Sequence, residues 1–336
     1  MKFRRVNIDG RVRVEALHNN AWRSLDTVPN LQALALDFGV TGNLAEDVIA
    51  VLQLGSQGFN ALAQELDRLQ PVNDLGGKLM TPIDPTSFRD FMLFEDHVIN
   101  ASRGYVKKFM PAGYQFSRVI EAITGKPFWK FKPHQLWYQQ PIYYFSNHLN
   151  FLVCGEPVPW PGYTSALDYE LELGAILTQP LFNATPEEAE KAIGGFVVLN
   201  DLSARDQQLA EMDCGFGPQK AKHFSSVMSS VVVSADEVLP KLSRLEGSVS
   251  INDEFVASCS TKDMYHSFQE SIAFASRGEK LHPGELFGSG TLPGGSGMEN
   301  GRWLSPDDVL ELEIKGIGHI KNKILSPLAT ETPVCK

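Results

Sequence analysis

The chain has 336 residues, enough for one or two domains with a large buried core. Apolar residues make up 43% and charged residues 21%, a balance typical of globular proteins, and no apolar run approaches the length of a membrane span. The net charge of −10 argues against a nucleic-acid partner.

The first part of the chain predicts a small domain without catalytic residues. Phe3–Ile8 and Val12–Leu17 flank Asp9-Gly10, which is typical of a β-hairpin. Helical patterning follows over Leu44–Leu69, and Pro71–Leu79 carries the breakers of a linker. The chain is thus predicted to divide into a small N-terminal domain, a catalytic domain and a loose tail, at residues 1–75, 80–325 and 326–336.

An acidic residue and a histidine stand seven positions apart in the next segment. From Asp90 to Ala101 the pattern is typical of a helix, which predicts that Asp90 and His97 share one helix face, about 10 Å apart along the axis. One metal ion could not easily bind both from a straight helix, whereas a small substrate could lie between them. The alternative is that His97 is a partly exposed helix residue beside Glu95 and Asp96.

Aromatic residues and lysines alternate over Tyr114–Trp137. Such interleaving can mark nucleic-acid binding. Because the run is short and the whole chain is acidic, we instead expect a lid or insertion beside a substrate.

Acidic residues recur in the stretch Leu167–Gln208, which predicts a strand, a loop, a helix and a second strand. Glu170 and Glu172 are two apart, so they share one face of a strand. Asp201 follows the apolar run Phe196–Leu199, where a buried strand would end. Three carboxylates that converge repel one another, and a bound cation is the natural solution.

The same alternation also occurs at Glu311 and Glu313, to which we assign no chemistry. Glu-x-Glu on a strand more often marks a solvated face. Spacing alone therefore leaves both alternatives open for Glu170 and Glu172.

Two polar residues follow Asp201 within the next two turns, Arg205 and Gln208. A guanidinium suits bidentate recognition of a carboxylate. The alternative for Arg205 is a salt bridge to Asp206 or Asp201.

Two further polar residues, Lys222 and Thr291, are candidates for the site. Lys222 precedes the apolar strand at 231–233, with Lys220 as a competing candidate. Thr291 lies in the glycine-rich segment Leu286–Ser296. That segment is not a dinucleotide fingerprint, because Pro293 stands where the third glycine should be.

These residues together resemble the fumarylacetoacetate hydrolase family. Its metal signature is Glu-x-Glu on one strand and Asp in an Asn-Asp-x-Ser-x-Arg-Asp segment on a later one, and both stand here in order, at Glu170, Glu172 and Asp201. Ala221–Ser226 is similar to the family's Gly-Lys-x-Phe-x-Thr segment, with Ala for Gly and Ser for Thr, and Leu286–Ser296 is similar to its Gly-Thr loop.

Short strands, irregular helices and frequent Gly and Pro predict an α+β fold with a dominant, curved mixed sheet. The resemblance sharpens this to a fumarylacetoacetase-like β-sheet roll with a small N-terminal domain. It also implies a homodimer.

The resemblance further implies roles for the site residues. Mg²⁺ or Ca²⁺, with Mn²⁺ as a third option, would be bound by four carboxylates: Asp90, Glu170, Glu172 and Asp201. His97 would be the base that activates water, with either Glu95 or Glu299 as its partner. The remaining family positions, which hold a substrate carboxylate or water or stabilise an oxyanion, are matched by Arg205, Gln208, Lys222 and Thr291.

The leading expectation is a metal-dependent hydrolase that cleaves a C–C bond in a 1,3-dicarbonyl acid, either an acylpyruvate or a fumarylacetoacetate-like compound. Asn100, three residues after His97, matches the hydrolase, whereas decarboxylase-like relatives tend to carry Glu there. The alternative is an oxaloacetate-type decarboxylase, or a hydratase or isomerase of a 2-oxo acid, on the same metal site. A binding protein without activity is a weaker alternative, because the full acidic set is present.

The four cysteines are scattered, with no Cys-x-x-Cys pair, which fits a reducing compartment and neither a disulfide framework nor a zinc site. The N-terminus has no apolar leader region. We therefore expect a cytoplasmic enzyme of a small keto acid, with neither a nucleic-acid nor a membrane partner.

Overall fold

The computed structural model describes residues 1–69 and 77–327. Most of the predicted linker Pro71–Leu79 and of the predicted tail lies outside the described residues. In the described part, no helix is both long enough and apolar enough to cross a membrane.

Strands and helices alternate irregularly along the described residues. The strands are β1 (Lys2–Ile8), β2 (Arg11–His18), β3 (Ala21–Ser24), β4 (Lys78–Leu79), β5 (Ser87–Phe91), β6 (Tyr143–Ser146), β7 (Phe151–Val153), β8 (Val158–Trp160), β9 (Leu167–Asp168), β10 (Leu171–Leu177), β11 (Leu181–Phe182), β12 (Ile193–Asn200), β13 (Ser203–Ala204), β14 (Ser226–Met228), β15 (Val231–Ser234), β16 (Glu246–Ile251), β17 (Glu254–Ser260), β18 (Lys280–Leu281), β19 (Glu285–Gly288), β20 (Val309–Ile314) and β21 (Gly318–Pro327). The helices are α1 (Leu31–Asp37), α2 (Val48–Gln53), α3 (Gly55–Leu66), α4 (Glu95–Phe109), α5 (Pro111–Thr124), α6 (Pro186–Ala192), α7 (Arg205–Asp213), α8 (Ala235–Val238), α9 (Phe268–Ala275) and α10 (Gly297–Asn300).

The largest sheet runs in the order β3-β2-β1-β15-β12-β10-β19-β5-β6, with β4 beside β1, β14 beside β12 and β7 beside β14. Its pairings are antiparallel except for β19 with β5 and β14 with β7, which are parallel. The predicted α+β fold with a dominant mixed sheet is therefore confirmed.

Successive side chains of a strand point to opposite faces of this sheet, and an apolar cluster packs on each face. On β12, Phe196 and Val198 belong to one apolar cluster, whereas Val197 and Leu199 belong to the other. The two central strands β10 and β12 are consequently buried along their whole length.

The N-terminal strands are part of the same sheet, since β1 pairs with β15 and brings Phe3 opposite Val232. Phe3 and Leu62 are fully buried and share the second cluster with Val197. Strands β1 to β3 thus extend the sheet, and helices α1 to α3 cover one of its faces. A separate N-terminal domain at 1–75 stays a prediction.

A second sheet packs on the first, in the order β17-β16-β20-β21-β8. Its first hairpin turns at Asn252 and Asp253, whose φ angles of 57° and 62° suit a two-residue turn. Glu311 and Glu313 lie on β20 on the less buried side of this sheet.

One predicted helix begins later than the pattern indicated. Ser87–Phe91 forms β5, because hydrogen bonds to β19 and β6 on both sides override the local helical pattern. Helix α4 begins only at Glu95, so Asp90 and His97 do not share a helix face. The prediction that they do is wrong.

Helices α4 and α5 pack together outside the large sheet around a small apolar cluster of their own, which contains Ile99, Phe128 and Phe131. Helix α6 begins with a capping box, in which the Thr185 side chain accepts from the backbone N–H of Glu188.

Candidate active site

Three buried carboxylates meet where strands of the large sheet end. Asp90 is on β5, Glu172 on β10 and Asp201 directly after β12, and carboxylate oxygens of all three lie within 4.8 Å of one another. We call these three residues the carboxylate cluster. Their relative exposures are 3%, 1% and 0%, whereas Glu313 of the second Glu-x-Glu is exposed.

The sheet register brings the cluster together. Gly288 of β19 pairs with Asp90 on one side and with Gly174 on the other. A side chain at this position would enter the cluster, because a Cβ on Gly288 would stand 2.3 Å from Asp90 Oδ1 and 2.9 Å from Glu172 Oε2. Gly288 therefore keeps this space open.

The buried negative charges of the cluster favour a bound cation. Burial raises the pKa of Asp90 well above its ordinary value, and the nearby charge of Asp201 raises it further. Burial likewise raises the pKa of Glu172, with Asp90 and Asp201 adding to the effect. Asp90 Oδ1 and Glu172 Oε2 are buried and have no hydrogen-bond partner among the described residues. Such an all-oxygen set fits a hard divalent cation such as Mg²⁺ or Ca²⁺.

Glu170, the fourth predicted ligand, lies next to this cluster and is held by two cations. Arg205 Nη2 donates to Glu170 Oε1 at 2.6 Å, and Lys222 Nζ contacts both Glu170 and Asp201. Burial alone would raise the pKa of Glu170, but the charges of Arg205 and Lys222 outweigh it and hold that pKa well below its ordinary value. The structure thus places Glu170 as the bridge between the cluster and the basic residues.

The lysine that contacts Glu170 and Asp201 is Lys222, which is also the residue that matches the family motif. It is buried, with 3% exposure, and burial, which lowers its pKa, is outweighed by Asp201 and Glu170, which raise it. The competing Lys220 is exposed and stands over the ring of Tyr163.

Arg205 is buried and donates hydrogen bonds to three protein side chains. Its Nε donates to Asp168 Oδ2 at 2.9 Å and its Nη1 to Gln208 Oε1 at 2.9 Å, besides the bond to Glu170. The alternative partners considered from sequence, Asp206 and Asp201, are not the ones used. Asp206 instead accepts hydrogen bonds from Thr164 and Ser165.

Asp168 was missed by the sequence analysis. It is fully buried and accepts from the backbone N–H groups of Gly297 and Met298 at 2.8 and 3.0 Å, so it joins Arg205 to the start of α10. A signal was present, because Asp168 has the same strand parity as Glu170 and Glu172.

His97 faces this site from α4. Its Nδ1 lies 2.8 Å from Glu299 Oε2, and its Nε2 lies 3.8 Å from Glu170 Oε1. Of the two glutamates considered as partners of His97, the structure therefore selects Glu299, and Glu95 accepts from Tyr138 instead. We call His97 and Glu299 the dyad.

Two further residues border the cluster or its loop. Tyr144, on β6 opposite Asp90, donates its hydroxyl to Asp201 Oδ2 at 2.7 Å, and burial raises its pKa well above the ordinary value. Thr291 is buried with 2% exposure in the loop that follows β19. Tyr144 was not among the catalytic or metal-binding residues assigned from the sequence.

Comparison with known proteins shows the family of this chain. The family pattern described as "Fumarylacetoacetate (FAA) hydrolase C-terminal" matches residues 124–325. The chain is 30% identical over 162 residues to "Oxaloacetate tautomerase YisK" of Bacillus subtilis, a match that covers 48% of this chain and 53% of the relative. It is 26% identical over 188 residues to "Oxaloacetate tautomerase fahd2, mitochondrial" of Xenopus laevis, covering 56% of this chain and 59% of that protein.

Among solved structures, the chain resembles "Fumarylacetoacetate hydrolase (EaFAH) from psychrophilic Exiguobacterium antarcticum". The TM-score is 0.66 with 22% identity, and the match covers 97% of this chain and 99% of the other. This likeness shows the shared fold.

Proposed function

The chain belongs to the fumarylacetoacetate hydrolase family, and from this premise we propose that it is a metal-dependent hydrolase of a 1,3-dicarbonyl acid, an acylpyruvate or a fumarylacetoacetate-like compound. The observation that carries the proposal is the placement of the dyad across from the carboxylate cluster, with Glu170 between them. A base close to a buried cation site suits the attack of water on a carbonyl whose leaving group is an enolate.

Asp90, Glu172 and Asp201, with Glu170 as the further predicted ligand, would hold Mg²⁺, Ca²⁺ or Mn²⁺. When bound, such an ion supplies a Lewis acid that stabilises enolate oxygens.

The dyad supplies the base. Glu299 accepts from His97 Nδ1, which leaves Nε2 as the nitrogen with a free lone pair on the side of Glu170. Glu299 is itself held by the backbone N–H of Gly294 and the hydroxyl of Ser296. In the proposed reaction, Nε2 takes a proton from water while the water oxygen adds to the acyl carbonyl carbon.

The C–C bond then breaks, and its electron pair passes to the departing enolate, whose carbon takes the proton back from His97 Nε2. An acylpyruvate thereby gives a 2-oxo acid, and a fumarylacetoacetate-like compound gives a 3-oxo acid. The other product is the carboxylic acid formed from the acyl group and water. Lys222, Gln208 and Thr291 are the proposed donors to the tetrahedral oxyanion. Arg205 fixes the amide of Gln208, whose NH₂ group remains a donor.

A second candidate is a tautomerase of oxaloacetate, because two relatives carry that name. The same dyad could take a proton from carbon instead of from water, and the same cluster would stabilise the same enolate. This reading requires no water attack, so the two candidates differ in their products.

The experiment that separates them assays both reactions on one preparation with Mg²⁺, Ca²⁺ or Mn²⁺. Acylpyruvate cleavage is followed by NMR detection of the 2-oxo acid and carboxylic acid, and enol–keto conversion of oxaloacetate by absorbance. Cleavage that requires the metal supports the hydrolase, whereas tautomerisation without cleavage replaces it with the second candidate. Glu172→Gln should lose both metal and turnover, while the matched control Glu313→Gln on the exposed Glu-x-Glu should keep both.

We further propose a homodimer that acts on a small keto acid, with neither nucleic acid nor membrane as a partner. The support is the family membership and the acidic net charge of −10. Sedimentation velocity on the full chain tests the assembly, and a single monomeric species would contradict it.

A further inference from the structure

A cleft of about 470 Å³ opens beside the C-terminal half of α4, between that helix and α10. Its α4 side carries Arg103, Lys107 and Lys108, and Trp303 and Tyr114 provide aromatic walls. This volume is in the range of pockets that hold small organic molecules.

The cleft is cationic in a chain that is acidic overall. Arg103 is neutralised by Glu121, which it contacts at 2.8 Å. Lys107 and Lys108 form no ion pair within residues 1–69 and 77–327. Glu299, already bonded to His97, is the carboxylate that faces them across the cleft.

A role in helix stability does not account for the cleft. Lysines in the last turn of a helix interact favourably with its C-terminal dipole, which explains their position along α4. It does not explain the open space opposite them. Lys108 Nζ stands 3.9 Å from the centre of the Trp303 ring, so one charge is held directly at an aromatic wall.

The cleft is separate from the carboxylate cluster. Nδ1 and Nε2 are on opposite edges of the His97 ring, and Nε2 faces Glu170 while Nδ1 faces Glu299. Because Glu299 borders the cleft, the cleft reaches the dyad from its Nδ1 side. Gly104 lets the two helices approach here, since a Cβ at this position would stand 1.8 Å from the carbonyl oxygen of Met298.

We propose that this cleft is a second binding site, for a small aromatic carboxylate whose charge lies at Lys107 and Lys108 and whose ring lies against Trp303. Charged hydrogen bonds to the lysines would supply the selection for an anion, and the aromatic walls the selection for a flat body. The site does not depend on the proposed hydrolase reaction.

The test is calorimetric titration of the full chain with benzoate, and with benzamide as the uncharged counterpart. Titrations run in EDTA and again with saturating Mg²⁺, so that binding at the carboxylate cluster is recognised by its metal dependence. We expect one benzoate per chain in both conditions and at least tenfold weaker binding of benzamide. The double variant Lys107→Gln, Lys108→Gln should bind benzoate at least tenfold more weakly, and Trp303→Leu should also weaken it.

The control pair is Lys315→Gln, Lys323→Gln, which removes two lysines from the β20–β21 hairpin and should leave benzoate binding unchanged. Benzoate binding that is absent, that requires Mg²⁺, or that persists at full strength in the double variant overturns the proposal. A failure of acylpyruvate cleavage with intact benzoate binding would refute the proposed reaction and leave this site standing.

Discussion

His97 Nδ1 lies 2.8 Å from a carboxylate oxygen of Glu299, although the two residues are 202 positions apart. The contact depends on the close packing of α4 on α10, at Gly104 and Met298. A neutral histidine held in this way has one defined tautomer and one free nitrogen. Substitutions of His97 and of Glu299 should therefore both impair the base.

His97→Ala should lower kcat by about 10²–10⁴-fold, the usual contribution of a general base. Glu299→Gln should lower it by roughly tenfold or more, because the amide no longer fixes the tautomer. Metal content, measured by elemental analysis, should stay at the parent value in both. Glu95→Gln is the matched control on the same helix and should keep its activity, and equal losses in Glu95→Gln and Glu299→Gln would contradict the dyad.

The pH dependence of stability should reveal the crowded cluster in metal-free protein. Burial raises the pKa of Asp90 and Glu172 well above their ordinary values, so the native state binds protons that the unfolded chain has already released. The free energy of unfolding should therefore fall as pH rises above about 4.5 toward the raised native values. Glu170, whose pKa is lowered, acts in the opposite direction and only below its ordinary value.

Thermal unfolding in EDTA between about pH 5 and 8 measures this fall. Glu172→Gln should show a shallower fall, because one of the raised groups is gone. Saturating Mg²⁺ or Ca²⁺ should also reduce it, since the ion takes the place of the protons. An identical pH profile for the parent and Glu172→Gln would refute the account.

Gly288→Ala should weaken metal binding by at least roughly tenfold, since the new methyl group would stand 2.3 Å from Asp90 Oδ1 and force the cluster apart. Gly113→Ala in α5 is the control, because its Cβ would meet its nearest neighbour at 3.5 Å, an ordinary contact. That variant should stay within about 1 kcal/mol of the parent in free energy of unfolding. Calorimetric titration with Mg²⁺ compares the metal affinities of the two variants. Equal affinities would mean that the absence of a side chain at Gly288 is not needed for metal binding.

Asp168→Asn should destabilise the protein by about 3 kcal/mol, because it leaves the buried Arg205 with one carboxylate instead of two. It should also reduce kcat, since Asp168 holds the backbone at the start of the helix that carries Glu299. Asp206→Asn is the control and does not contact Arg205. Urea unfolding and steady-state kinetics test both variants, and a larger effect of Asp206→Asn would show that the sequence-based partner was the right one after all.

The strand positions of Glu172 and Asp201 could be predicted from the sequence, because their signal is local. Glu172 shows the period of a strand, and Asp201 follows an apolar run that β12 confirms. The helical pattern around Asp90 was misleading because sheet pairing with distant strands decided the local structure.

The partner of His97 could not be chosen from sequence, since the choice rests on how α10 packs against α4. Lys222 could be preferred over Lys220 only by its motif, and burial then separates the two. Long-range packing thus decides both the partner of His97 and the choice between Lys222 and Lys220, which local sequence patterns leave open.

The carboxylate cluster stands on or directly after strands of the large sheet, whereas both members of the dyad stand on helices, His97 on α4 after β5 and Glu299 on α10 after β19. Substituting His97 or Glu299 therefore removes no member of the carboxylate cluster. A lineage can exchange the proton-handling half of the pocket and inherit the other half intact.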